Sequence, residues 1–221
     1  HSERVGDQSR HGCVEMVLPV HAHDLYDYDA NETPVLVDVE DGGATRHLLV
    51  QANRNGFMYV LDRTNGKFVS AEPFVEKLNW AKGIDASGRP QLSGRIPTAQ
   101  GTYICPGING ATNWFAPSYN PDTGFFYVIA LESCNLFFTD PKPFAVGQTY
   151  YNTGTKLPPD ARAQKVLLAY SVRDGKIVWR YPQVGPGDSW GGTLTTAGGL
   201  VFFGDDAGSF EAVDTQTGRP L

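Results

Sequence analysis

Leu168-Ala169-Tyr170-Ser171-Val172-Arg173-Asp174-Gly175-Lys176-Ile177-Val178-Trp179 is the stretch on which the architecture turns. An apolar strand runs into a polar-Gly turn, and a second strand closes on a tryptophan. Asp-Gly supplies the positive-φ residue that a tight hairpin requires, and the polar side chain ahead of it can bond its own turn backbone. The phrase recurs at Tyr59-Val60-Leu61-Asp62-Arg63-Thr64-Asn65-Gly66-Lys67 and at Glu211-Ala212-Val213-Asp214-Thr215-Gln216-Thr217-Gly218, with a degenerate copy at Gly12-Cys13-Val14-Glu15-Met16. Gly175 and Gly218 stand 43 residues apart, the length of one four-stranded propeller blade. Gly66 and Gly175 are 109 residues apart, which fits two blades with an insertion better than one.

A second kind of strand appears as Phe125-Phe126-Tyr127-Val128-Ile129-Ala130 and Leu200-Val201-Phe202-Phe203-Gly204. Apolar residues at successive positions suit a sheet packed on both faces. Trp179 is expected to pack between blades. Helical periodicity is nearly absent, apart from a short turn near Pro73–Leu78. The expected fold is all-β: a β-propeller of four-stranded antiparallel blades. Asp140 to Asp160, rich in Pro, Gly, Tyr and Thr, reads as a surface excursion that could cover the propeller, mediate a subunit contact, or be a plain insertion.

The totals agree with many short strands. The 221 residues include 25 Gly and 15 Pro, and 41% are hydrophobic against 19% charged. A net charge of −6 without a Lys/Arg run argues against nucleic acid as a partner. No apolar run approaches the roughly 20 residues of a membrane span. Neither end reads as natural, so residues 1–221 are taken as part of one propeller domain truncated at both ends.

The densest ionisable cluster is His21-Ala22-His23-Asp24-Leu25-Tyr26-Asp27-Tyr28-Asp29. On a strand Asp27 and Asp29 would share a face. Two close carboxylates call for a shared cation or a raised pKa; equally, such a turn could use its Asp residues to bond backbone amides. His21 and His23 have the spacing of a metal pair.

The run from His23 to Ala30, followed by Thr33-Pro34-Val35-Leu36-Val37-Asp38, resembles the segment of pyrroloquinoline-quinone (PQQ) dependent alcohol dehydrogenases that carries the catalytic aspartate. The resemblance continues through Asn53–Gly66, Cys105-Pro106-Gly107 with Asn113-Trp114, and Trp190–Leu200, in the family's order. It covers nearly the whole chain from about Gly12, although Met16 stands where a Trp usually closes the blade phrase.

What it implies is an eight-bladed propeller, of which this chain is a C-terminal part, that oxidises a primary alcohol to an aldehyde by hydride transfer to metal-bound PQQ. Asp27 matches the general base and a metal ligand. Asp29 matches the additional aspartate of lanthanide-using members, with calcium as the alternative ion. Arg54, Asn113 and Trp190 match residues that contact the cofactor; for Trp190 and Trp114 inter-blade packing is an equal alternative. The histidines have no ligand role in the family, and His23 reads as a satisfied structural histidine. Cys105 and Cys134 match a disulfide of the family and leave Cys13 as an ordinary substitution. The implied setting is periplasmic, with a small alcohol as substrate and cytochrome c as electron acceptor, and it leaves a homodimer open. The family's metal-binding Glu and Asn lie upstream of this stretch, so alone it is not expected to close a propeller or hold the cofactor tightly. A haem domain could follow. The competing readings are a cofactor-free propeller scaffold, which would not need Asp27, Asp29, Arg54 and Asn113 together, and a quinoprotein sugar or polyol dehydrogenase.

Overall fold

The structure, a computed structural model, describes residues 3–5, 16–21, 23–159, 161–185, 190–205 and 207–221. Every named element among them is a strand. β1 (Glu3–Val5) and β2 (Met16–Leu18) form a short pair. β3 (Val35–Asp41), β4 (Ala44–Ala52), β5 (Phe57–Asp62) and β6 (Phe68–Pro73) form one four-stranded antiparallel meander. β7 (Ala81–Ile84) and β8 (Pro90–Leu92) make a hairpin, and β9 (Thr102–Ile104) follows. The next blade is built from β10 (Ser118–Asn120), β11 (Phe125–Glu132), β14 (Gln164–Ser171) and β15 (Lys176–Pro182). Between β11 and β14 the chain leaves to form β12 (Asn135–Thr139) and β13 (Thr153–Lys156); β12 pairs with β13 on one side and β9 on the other in a separate sheet. β16 (Thr193–Thr195), β17 (Leu200–Gly204) and β18 (Phe210–Asp214) begin a third blade.

Period-two alternation decides which blade each residue meets. On β11, Phe126, Val128 and Ala130 join Val37, Val50 and Met58 of the first blade, whereas Tyr127, Ile129 and Leu131 join Val201, Phe203 and Val213 of the third. β14 divides the same way, with Val166, Leu168 and Tyr170 on one side and Leu167 and Ala169 on the other. The continuous apolar run therefore marks a middle blade buried on both faces.

This packing corrects the blade count between Gly66 and Gly175. The blades carrying these turns share one core, so 109 residues span a single blade step. The added length is the hairpin β7–β8 and the outlying sheet β9–β12–β13. The excursion after Asp140 is exposed, but its later part is ordered as β13 against β12. No helical turn forms at 73–78.

The turn phrases close as read. Gly66, Gly175 and Gly218 have φ of 71°, 64° and 68°, and each amide donates to the carbonyl four residues earlier. Trp179 locks the second blade to the third: its indole N–H donates to the Thr215 carbonyl at 3.0 Å, and its ring lies against Gly218. Cys105 and Cys134 are joined by a disulfide. Cys13 and most of the degenerate copy at 12–16 lie outside the described residues.

Candidate active site

Three loops meet at the mouth of the first two blades. The first, residues 21–31, precedes β3. Asp24 accepts the Tyr26 and Tyr28 amides, at 2.8 and 2.7 Å, and the two tyrosine rings turn into a core with Phe57, Tyr59 and Trp80. The Tyr28 hydroxyl donates to the Pro106 carbonyl, beside the disulfide. With Tyr26 and Tyr28 buried, the alternate residues Asp27 and Asp29 face outward, their side chains 66% and 59% exposed.

The second loop is the Asn53–Gly56 turn between β4 and β5. Asn53 and Asn55 are fully buried and brace the turn through their side chains. Arg54 is thereby projected under the first loop. Its Nη2 donates to the Ile108 carbonyl at 2.6 Å and lies 3.8 Å from Asp27 Oδ2, while Nη1 lies 3.6 Å from Asp29 Oδ2. Gly110 permits this approach: a Cβ there would stand 2.7 Å from that of Arg54.

The third loop runs from Cys105 to Phe115. Asn113 donates to the Asn109 carbonyl at 2.9 Å, and its Oδ1 caps the Trp114 amide and receives a long 3.5 Å contact from Asn31. Trp114 and Trp190 lie nearly parallel, 8° apart with centroids at 6.2 Å, and both rings are substantially exposed. Trp190 also meets Phe115 edge-on. Arg54 is thus in contact with both Asp27 and Asp29, Asn113 touches the first loop at Asn31, and Trp190 stacks on Trp114.

Partial burial pushes the Asp27 carboxyl up from its ordinary value; Arg54 opposes this, and Asp29 and Asp24 reinforce it. Among the described residues no cluster of three or more His, Cys, Asp or Glu side chains could hold a metal alone. Asp27 and Asp29 offer hard oxygen donors, a partial set for an ion that takes six to eight. Arg54 Nε is buried without a hydrogen-bond partner, a donor that this site leaves unsatisfied. The residues present fit a quinone and its cation.

His23 does not take the structural place expected of it. His23 is exposed, whereas His21 is buried and stacked on Trp80 at 4.2 Å. The alternative that an Asp of this turn bonds backbone amides holds for Asp24; an Asp placed two and four residues ahead of tyrosines in a tight loop is the signal of an Asx turn.

A β-propeller whose loop mouth gathers two aspartates, a buried arginine, an asparagine and exposed tryptophans defines a class of cofactor-binding propeller. Residues 19–78 match the family model for the PQQ β-propeller domain of glucose, ethanol and alcohol dehydrogenases. The chain is 35% identical to quinoprotein alcohol dehydrogenase PedH of Pseudomonas putida, over 98% of its own length and 38% of that protein's. It is 34% identical to 1-butanol dehydrogenase (cytochrome c) of Thauera butanivorans, over 90% and 30% of the two lengths. A solved europium-containing methanol dehydrogenase superposes with a TM-score of 0.78 at 33% identity, covering 89% of this chain and 35% of that one. The chain belongs to the quinoprotein alcohol dehydrogenase family. It spans about a third of the length of these relatives.

Proposed function

We propose that the protein oxidises a primary alcohol to an aldehyde, with Asp27 as the general base. The observation that carries this reading is the contact of a buried Arg54 with Asp27 and Asp29 at a loop mouth that Asn113 and Trp190 also border. Bound PQQ and its metal ion would supply a polarised hydride acceptor.

The chain's own residues do the rest. Asp27 takes the hydroxyl proton on its carboxylate, which stands open to solvent beside Arg54. Arg54 would hold the quinone, presenting a fixed and desolvated positive charge to it. Asp29 adds a second anionic oxygen donor, which favours a trivalent lanthanide over calcium. Asn113 and Trp190 would border the bound cofactor. The europium in a solved relative supports the choice of ion. A relative named for cytochrome c supports that class of electron acceptor. The disulfide fits an oxidising compartment, and we assign the protein to the periplasm. No helix among the described residues is long and apolar enough to cross a membrane.

The test is reconstitution of the full-length gene product with PQQ and either lanthanum or calcium, assayed with an artificial electron acceptor. Ethanol or methanol is turned over, and lanthanum supports more activity than calcium. The matching family model also covers glucose dehydrogenases, so glucose belongs in the panel; turnover of glucose alone would overturn the alcohol assignment.

A further inference from the structure

Asp27 is, among the described residues, the one non-glycine with positive φ, at 64°. Asp enters that region more readily than most L residues, but its side chain still crowds the following carbonyl, and contacts from the surroundings are needed to hold it there alone. The Arg54 contacts at 3.6 and 3.8 Å are too long to impose it. Asp24 is placed to do so. Its Oδ1 accepts the Tyr26 amide at 2.8 Å and its Oδ2 accepts the Tyr28 amide at 2.7 Å, so both oxygens grip the backbone on either side of Asp27. The gripped residues are themselves anchored. The Tyr26 hydroxyl donates to the Arg95 carbonyl, the Tyr28 hydroxyl donates to the Pro106 carbonyl, and both rings are buried.

We propose that Asp24 is a positioning residue for the reaction: its two-handed hold on the Tyr26 and Tyr28 amides keeps Asp27 in the left-handed conformation that turns its carboxylate toward Arg54. The assignment rests on the proposed role of Asp27. Without Asp24, the backbone at 27 relaxes toward negative φ and the carboxylate swings away from Arg54 and Asp29.

In the quinone- and metal-loaded protein, Asp24→Ala lowers kcat for ethanol roughly tenfold or more, as expected of a misplaced base, with KM changed less than about threefold. The same variant weakens lanthanum binding, read by competition with a chelator, by about tenfold, because the two carboxylates no longer converge. Asp24→Asn keeps one acceptor oxygen and falls between the wild type and Asp24→Ala. The decisive comparison is the double variant: added to Asp27→Asn, Asp24→Ala changes kcat less than about twofold, since its effect passes through Asp27. Multiplying losses, or an Asp24→Ala protein with kcat and lanthanum binding both intact, would overturn the assignment. Full turnover by Asp27→Asn alone instead overturns the base role of Asp27, and the lanthanum titration then decides the Asp24 assignment by itself.

Discussion

Arg54 Nη2 lies 3.8 Å from Asp27 Oδ2, with the arginine buried and the aspartate open to solvent. The cation is fixed and desolvated while its partner can still meet a substrate. At that distance, with one member open to water, the pair adds little to stability; it leaves the carboxylate free to exchange a proton.

Asp27→Asn tests that freedom. The amide keeps the size of the side chain and tolerates positive φ, but it cannot accept a proton at neutral pH. Turnover should fall roughly 10²- to 10⁴-fold, while the bound quinone's absorbance spectrum is retained. Steady-state kinetics alongside that spectrum separate loss of the base from loss of the cofactor.

Asp29→Ala addresses the ion. Removing one anionic oxygen from a partial donor set costs a trivalent ion more than a divalent one. Chelator competition on the quinone-loaded protein should show lanthanum affinity falling by about tenfold or more relative to calcium. Equal losses for both ions would return Asp29 to a supporting place.

The parts of this molecule that could be read from the sequence are those set by neighbours along the chain. Asp62–Gly66 and Asp214–Gly218 announce their turns because a positive-φ glycine and an Asx bond are local devices. The run at Phe125–Ala130 announces a strand buried on both sides because alternation is absent. Blade counting failed between Gly66 and Gly175 because β9, β12 and β13 have ordinary strand composition yet pair outside the blades. His21 and His23 share a spacing, and nothing local says which faces Trp80. The meeting of Asp27 with Arg54 depends on how β4 and β5 present their turn beneath the preceding loop. Family resemblance anticipated it; residue pattern alone could not.

Gly218→Ala probes the join between the second and third blades. A methyl group there would sit 2.6 Å from Trp179 Cε3, and the indole is pinned by its bond to Thr215. Gly124, with φ of 70° and nothing within 4 Å of a built Cβ, provides the control. Gly124→Ala should cost about 1–2 kcal/mol for left-handed backbone strain alone. Gly218→Ala should cost at least about 1 kcal/mol more, from overpacking against the ring. Urea unfolding midpoints of the two variants give the difference, and equal shifts would show that Trp179 yields freely.

His21 gives the fold a pH dependence of calculable sign. Its ring is 5% exposed and stacked on Trp80, and Nε2 has no hydrogen-bond partner. Burial pushes its pKa down from 6.5 to about 4, against the pull of nearby Asp24. Between those two values the unfolded chain binds a proton that the folded chain refuses, so stability declines as pH drops from 6.5 to about 4 and this contribution levels off below. The whole window is worth about 3 kcal/mol. His21→Phe keeps an aromatic ring on Trp80 and removes the titration. Urea unfolding at several pH values from 7 to 4 should show a shallower acid decline in the variant than in the wild type, whatever their offset at pH 7. Parallel profiles would mean that His21 takes up its proton while still folded.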